Sequence, residues 1–499
     1  MTHISDTPST DSELRLGLSH SYAEQLPGFS VQSTVDHVAE PELAFFNHGL
    51  ATELGLPVNA LHDEQLATLF SGANLPADAQ PIAQVYAGHQ FGQFNPQLGD
   101  GRAVILGEIN TPLGSKIDLC LKGSGRTTFS RGGDGKAALA PMLREVLIAE
   151  AMHALGIPTT RSLAVVSTGE IVYREQPQPG GILTRTASSH IRIGTFEYFA
   201  ARGQTQQVKM LADYSIARHF PACANDDSPY ASFLQAVIKR QAELIARWMG
   251  VGFIHGVMNT DNMSIAGETI DYGPCAFMDR FDPETVFSSI DLQGRYAYQN
   301  QPAIAQWNLA RFAETLLPLL GEDEQQAIAL ATEHVNAFSM YYRHAWLPLI
   351  RAKLGLHDNT DDNAVLALYD SWLTLLETQQ IDFTLAFRYL ADAAEGNTEY
   401  VEGLFADKQA LHDWLKTWRQ AIDVDGAAGR MRAVNPQLIP RNHLVEEALE
   451  AASTSGDLRL FYALMEALSA PYEQREHDTR FLQPATPAFT DKFQTFCGT

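Results

Sequence analysis

Cysteine is scarce: Cys120, Cys223, Cys275 and Cys497 are the only four in 499 residues, and no two form a C-x-x-C pair. That excludes a disulfide framework of the secreted kind and leaves no zinc signature. Positive charge is scarce too, with 35 Lys and Arg against 59 Asp and Glu, a formal net charge of −24. Such a chain is not built to grip nucleic acid or an anionic membrane, although a local basic pocket stays open to it. No run of about 18 apolar residues occurs, so no membrane-spanning helix is expected. The opening MTHISDTPSTDSELRL lacks the apolar segment of a signal peptide. These absences lead to the expectation of a cytoplasmic protein with neither a nucleic-acid nor a membrane partner.

What is present is ordinary globular material, 45% hydrophobic and 19% charged. At about 150 residues per unit the length suggests two or three structural units, with core enough to need no staples. Residues 1–40 are polar and read as irregular. From Pro41 to Phe70 the pattern reads helical, with one helix from Asn47 to Leu56 closed by Gly55 and Pro57. A glycine-rich stretch, GHQFGQFNPQLGDGR, leads into two β-rich runs, Ala103–Ile109 and Ile117–Leu121. Pro141–Leu155 reads as a helix. Ser162–Val166 and Glu170–Arg174 read as strands joined by a Ser167-Thr168-Gly169 turn. Ser232–Met249 is the clearest helix, with Leu234, Val237, Ile238, Gln241, Leu244, Ile245 and Trp248 on one face. After residue 300 the pattern is helical over Gln306–Leu320, Asp323–Leu354 (with a break near Pro348), Asn363–Thr378 and Leu444–Ala470. Strands thus cluster between 80 and 190, and helices dominate after 230.

The chemistry lies in pieces that are each unremarkable alone. Lys122 ends an apolar β run, where a lysine is ordinarily just solvated. Glu145 sits on the next helix, and Gly99, Gly101 and Arg102 fit a plain turn. In chain order they match the front of a protein kinase lobe: glycine loop, strand lysine, helix glutamate. Glycine lets backbone N–H groups approach phosphates, lysine neutralises them, and glutamate holds the lysine. After the long helix, His255-Gly-Val-Met-Asn-Thr-Asp-Asn262 resembles the kinase catalytic loop, and Asp271-Tyr-Gly resembles D-F-G. Asn262 and Asp271 offer the oxygen ligands that hard Mg²⁺ requires. One departure matters: the alignment puts Val257 where the kinase catalytic Asp belongs, and valine accepts no proton. Asp261 is the nearest carboxylate able to act as base. Arg185 and Arg192 lie seven residues apart, and arginine suits phosphate forks. Arg131-Gly-Gly-Asp-Gly-Lys136 is either a simple loop or a second phosphate-facing glycine loop.

Longer blocks carry a resemblance to a known family. They are YAGHQFGQFNPQLGDGRA, LKGSGRTTFSRGGDGKAALAPMLREVL, GILTRTASSHIRIGTFEYFA, HGVMNTDNMSIAGETIDYGPCAF and NPQLIPRNHLVEEAL. Together they resemble the selenoprotein O family, the kinase-like protein adenylyltransferases, over nearly the whole chain. The resemblance implies an α+β, protein-kinase-like (pseudokinase) bilobal core with an extensive α-helical C-terminal half. Its units are a helical and irregular extension (1–80), an N-lobe with the glycine loop (81–200), and a helical C-lobe with the catalytic loop and metal site (201–499).

The implied activity is metal-dependent transfer of AMP from ATP to Ser, Thr or Tyr hydroxyls of proteins. The nucleotide would bind flipped relative to active kinases, with its α-phosphate toward the acceptor. Carried over position by position, Gly99, Gly101 and Arg102 match the nucleotide-contacting loop, Lys122 the phosphate lysine and Glu145 its ion-pair partner. Asp134 and Gly135 match the second loop, and Arg185 and Arg192 the phosphate arginines. Asp261 matches the base, while Asn262 and Asp271 match the ligands of Mg²⁺ or Mn²⁺, Asp271 also meeting ATP. Family members carry selenocysteine or cysteine at the position of Cys497, which implies a redox role, with a bridge to another cysteine gating the site. Four other readings stand beside this one: an ordinary kinase, an inactive ATP-binding pseudokinase scaffold, a uridylyltransferase using UTP, and a redox protein acting through Cys497. The acceptor proteins and the oligomeric state are not legible.

Overall fold

The computed structural model describes residues 14–423, 425–473, 475 and 479–496. In chain order its strands are β1 (Leu18–Ser19), β2 (Ser30–Gln32), β3 (Glu42–Phe46), β4 (Ile82–Gln84), β5 (Gly88–Gln90) and β6 (Gln93–Asn95). There follow β7 (Ala103–Asn110), β8 (Lys116–Lys122), β9 (Arg161–Tyr173), β10 (Pro177–Ala187), β11 (Phe253–Ile254) and β12 (Ala276–Phe277). The main sheet runs β2-β4-β7-β8-β10-β9-β3, with β1 beside β7, and its pairings are antiparallel. β5 and β6 make a separate small hairpin, and β11 pairs with β12.

The two-residue period of a strand decides what each face does. On β8, Leu119 and Leu121 enter a core with the helices His48–Glu53 and Asp63–Phe70. Asp118, Cys120 and Lys122 alternate with them and point to the opposite face, all three buried. Polar side chains buried in this register need partners, and they find them in a charged cluster. The helix Leu139–Ala154 crosses the sheet and is covered in turn by the helices Asn442–Ser455 and Arg459–Leu468, which share its apolar core. Two helices from the C-terminal part of the chain therefore brace the helix that carries Glu145.

The long helix spans Pro229–Gly250 and buries the face expected of it. Gly252, at φ +72°, turns the chain into β11. The helical region beyond residue 300 comprises Gln301–Leu320, Glu324–Asn336, Phe338–Leu354, Asp362–Gln379 and further helices to Pro487–Thr490. No helix among the described residues is long and apolar enough to cross a membrane.

Three local expectations are corrected. Glu42–Phe46 is a strand, not the start of a helix, because its short apolar run pairs with β9; Asn47 then caps the helix by accepting from the Leu50 N–H at 2.9 Å. Ser167-Thr168-Gly169 is no turn: β9 runs straight through it, and the reversal comes at residues 174–176. The helix break expected near Pro348 lies at Ala337, and Pro348 sits inside the helix Phe338–Leu354.

Candidate active site

A cavity of about 470 Å³ brings together Gly99, Gly101, Arg102, Lys122, Asp134, Gly135, Arg185, Arg192, Asp261, Asn262 and Asp271. Among the described candidates, one lies outside this lining. Glu145 is packed behind the wall, and Cys497 falls outside the described residues.

The glycine loop precedes β7. Gly99 has φ +84°, and a Cβ there would lie 2.4 Å from the Phe129 ring. A Cβ on Gly101 would meet the Phe129 carbonyl at 3.0 Å. The second loop folds onto the first: Thr127 Oγ1 donates to Asp100 O at 2.5 Å, and Ser130 Oγ to Gly101 O. Gly135, at φ +69°, leaves no room for a side chain, since a Cβ would lie 2.0 Å from Gly125 O. Arg174, at the end of β9, grips Asp134 with both terminal nitrogens, each at 2.9 Å. That fork, foremost, holds the Asp134 carboxyl below its usual range. The two glycine loops are thus one structure, and Arg174 is the clamp that motif reading missed.

At the centre Lys122 Nζ donates to Glu145 Oε2 at 2.5 Å and to Asp271 Oδ1 at 3.1 Å. Arg185 Nη1 reaches the same two carboxylates, Glu145 Oε1 at 3.1 Å and Asp271 Oδ1 at 2.6 Å. Arg192 Nη1 donates to Asp271 Oδ2 at 2.6 Å and to the Asp261 carbonyl at 2.7 Å. Burial alone would raise the Asp271 carboxyl, but Arg185, Lys122 and Arg192 outweigh it and hold the group well below the ordinary range. Asp271 also adopts φ +62°, a costly conformation for a non-glycine residue and one found at functional sites. Two residues that the motifs did not flag complete this wall. Arg192 lies over the Tyr86 ring at 4.7 Å, and Asp100 stands 3.8 Å from Arg192.

Asp261 and Asn262 sit on a single 3₁₀ turn, Thr260–Asn262. Asn262 Nδ2 donates to Val257 O at 3.0 Å, which fixes the amide and leaves Oδ1 as a candidate ligand atom. Val257 lines the cavity where the kinase alignment puts a carboxylate. His255 ties the loop down through Nε2 to Ile270 O at 2.9 Å, just before Asp271. Asp261 Oδ2 accepts from Gln90 Nε2 at 3.2 Å, while its buried Oδ1 has no hydrogen-bond partner. Burial, opposed by Arg192, pushes the Asp261 carboxyl up to about 6. A neighbouring glycine makes this placement feasible, because a Cβ on Gly88 would lie 2.5 Å from Asp261 Oδ1.

Gly88 and Gln90 belong to the β5–β6 hairpin, which the glycine count made look like plain loop. Phe91, at its tip, has φ +51° and donates its N–H to Asn259 Oδ1 and Tyr296 OH, both at 3.1 Å. Hydrogen bonds thus join the hairpin to Tyr296 and to the Asn259–Asp261 segment.

Among the described residues no group of three or more His, Cys, Asp and Glu is arranged to hold a metal. The oxygen set that exists is Asn262 Oδ1 with the Asp271 carboxylate. It fits Mg²⁺, which is commonly held by one or two side chains plus substrate phosphates. Cys120, Cys223 and Cys275 are buried and free. Burial pushes the Cys120 and Cys275 thiols up to about 12.

A family model described as protein adenylyltransferase SelO matches residues 14–469. A protein nucleotidyltransferase YdiU of Chromobacterium violaceum is 57% identical over 468 residues, covering 92% of this chain and 97% of its own. The protein of the same name from Mycobacterium sp. (strain KMS) is 54% identical over 484 residues, 97% of this chain and 99% of its own. That of Rhizobium meliloti is 51% identical over 487 residues, with 96% and 99% covered.

Proposed function

The chain belongs to the protein adenylyltransferase SelO family, and we propose that it transfers AMP from ATP to Ser, Thr or Tyr hydroxyls of proteins. The observation that carries this reading is the pairing of a three-cation cluster on Asp271 with a second carboxylate, Asp261, whose Oδ1 is buried and unpartnered. A kinase-like bilobal core is the arrangement this reading takes, with the sheet and the catalytic turn meeting at the cavity.

Lys122, Arg185 and Arg192 bind phosphate oxygens. Asp271 is the internal anion that neutralises them, so ATP competes for cations already held in place. Glu145 keeps Lys122 and Arg185 oriented through both its oxygens. Gly99, Gly101 and Arg102, with the Asp134–Gly135 loop above them, cover the nucleotide. Asn262 and Asp271 would hold Mg²⁺ or Mn²⁺, whose chemistry when bound is to neutralise charge developing on the phosphates.

Asp261 Oδ1 accepts the proton of the acceptor hydroxyl as that oxygen bonds to the α-phosphorus. The bond from the α-phosphorus to the bridging oxygen breaks, and pyrophosphate leaves toward Lys122 and the arginines. A carboxyl raised by burial is a better base than an exposed aspartate. Val257 cannot serve a γ-phosphoryl transfer of the kinase kind. Asp118, Glu145 and the hairpin stay outside the bond-breaking step.

The buried free thiols fit a reducing compartment, the cytoplasm, and the net charge of −24 fits a protein without nucleic-acid or membrane partners. Redox control, in which Cys497 bridges one of the other three cysteines, is part of this proposal, and Thr495 Oγ1 donates to Pro274 O at 2.7 Å, next to Cys275 in the chain. Peptide mapping without reductant should then recover that disulfide, and a wholly free Cys497 would remove this part of the reading.

ATP labelled separately at the α- and γ-phosphates, offered with Mg²⁺ or Mn²⁺ and a cell extract, tests the activity. Protein-bound α label without γ label, lost in Asp271→Ala, is expected. Protein-bound γ label would make the chain a kinase. Bound ATP with neither label transferred would favour a pseudokinase scaffold, and labelled UTP in parallel decides the base.

A further inference from the structure

Arg185 is held from behind by a chain of buried side chains that no motif assigns. Its Nε donates to His190 Nε2 at 3.3 Å. His190 Nδ1 lies 3.0 Å from Asp118 Oδ2, and the His190 backbone N–H donates to the same oxygen at 2.9 Å. Arg218 Nη2, in the last turn of the helix Thr205–His219, donates to Asp118 Oδ1 at 2.6 Å. Asp118, Arg185 and His190 are almost wholly buried.

The hydrogen bonds fix the tautomer. Arginine only donates, so His190 Nε2 must accept, and Nδ1 must carry the proton toward Asp118. Burial lowers the His190 imidazole, which agrees with a neutral ring. Arg218 and His190 hold the Asp118 carboxyl low against burial, so it remains an acceptor. The β8 register explains the geometry: Asp118 and Lys122 share a face four residues apart, so one strand serves the front and the back of the same cluster.

We propose that His190, oriented by Asp118, is a positioning residue that sets the rotation of the Arg185 guanidinium. An arginine with Nε tied cannot spin about its long axis. Its Nη1 is then fixed on Glu145 and Asp271, and the face it offers to a phosphate is fixed with it. The logic is that of a carboxylate that orients a metal-bound histidine. Here the histidine orients a guanidinium, and the last turn of a helix outside the site anchors the carboxylate.

The inference rests on the nucleotide-binding reading, so its test uses binding as well as transfer. His190→Gln keeps an acceptor oxygen near the place of Nε2. His190→Asn keeps a donor to Asp118 at the place of Nδ1 but nothing that reaches Arg185. If His190 positions Arg185, Asn should weaken binding of a fluorescent ATP analogue and raise the KM for ATP about tenfold, while Gln stays near the unmodified protein. If His190 only supports the fold through Asp118, the order reverses, with Asn benign and Gln harmful, and the proposal falls. Adding His190→Asn to Arg185→Lys, which has no Nε, should cost nothing further; a full additional loss would also overturn it. Melting temperatures of all variants separate unfolding from misplacement. A folded unmodified protein that binds no ATP analogue would sink the nucleotide reading itself. Normal binding with the two His190 variants indistinguishable from the unmodified protein would sink this inference alone.

Discussion

Among the described residues two lysines are buried, and they live in opposite surroundings. Lys122 touches two carboxylates, Glu145 and Asp271, inside a cluster that also holds Arg185 and Arg192. Lys353, in the helix Phe338–Leu354, has the neutral Asn435 Oδ1 at 2.9 Å and the Phe387 ring at 4.2 Å. With no carboxylate beside it, burial lowers the Lys353 amine to about 7. The comparison separates two uses of a buried charge. In the sheet region Lys122, Arg185 and Arg192 are each matched by carboxylates, and on the proposed reading a ligand takes over that match. In the helical region the charge is a local cost that packing carries.

The largest expected effect breaks the matched cluster. Asp271→Ala should lower metal-dependent transfer by about a thousandfold or more. It also leaves three cations without their shared counter-charge, so ATP binding in the presence of EDTA should tighten. Weaker metal-free binding, measured by titration calorimetry, would contradict the role of Asp271 as an internal anion.

A smaller effect sharpens the contrast by moving Asp261, the proposed base, without touching a charge. In Gly88→Ala the new Cβ would crowd Asp261 Oδ1. Transfer should fall about 100-fold with ATP affinity unchanged, because small misplacements of a reacting group are costly. Equal losses in kcat and in binding would show that the hairpin acts on the whole cavity.

The smallest effect belongs to the helical region and is one of stability. The unfolded Lys353 titrates near 10.5 and the folded one near 7. Between these values the unfolded chain binds more protons, so this group makes stability rise with pH across that window, at up to about 1.4 kcal/mol per pH unit. Below pH 7 its penalty is constant. Lys353→Met should remove that rising component and leave transfer unaltered. Denaturant melts at pH 7, 8.5 and 10 measure it as the difference between variant and unmodified protein. An unchanged difference across the series would mean that Lys353 is charged in the fold.

The candidate residues were readable in order because the proposed chemistry needs particular residue types. Lys122, Asp261, Asn262 and Asp271 line one cavity, and Glu145 pairs with Lys122 behind it. The β7–β8 hairpin and the long helix were legible from periodicity. The misreadings have local causes. Gly169 looked like a turn, yet its lack of a side chain lets Glu40 approach, since a Cβ would meet Glu40 Cβ at 2.7 Å. The run Leu43–Phe46 is too short for its period to tell strand from helix. Arg174, Gln90, Asp118 and His190 were missed for another reason. Their partners lie 40, 171, 72 and 5 residues away, and no local pattern marks a side chain whose work is to hold another.

On the proposed reading Asp261, not the position of Val257, receives the proton, and the α-phosphorus is the centre attacked. The direct measurement follows α-labelled and γ-labelled ATP in the unmodified protein, Asp261→Asn, Val257→Asp and the double variant. The unmodified chain should put α label in protein, Asp261→Asn should lose about 100-fold or more, and Val257→Asp should bring no rescue. Full α transfer by Asp261→Asn, or γ label in protein from the unmodified chain, would contradict that reading.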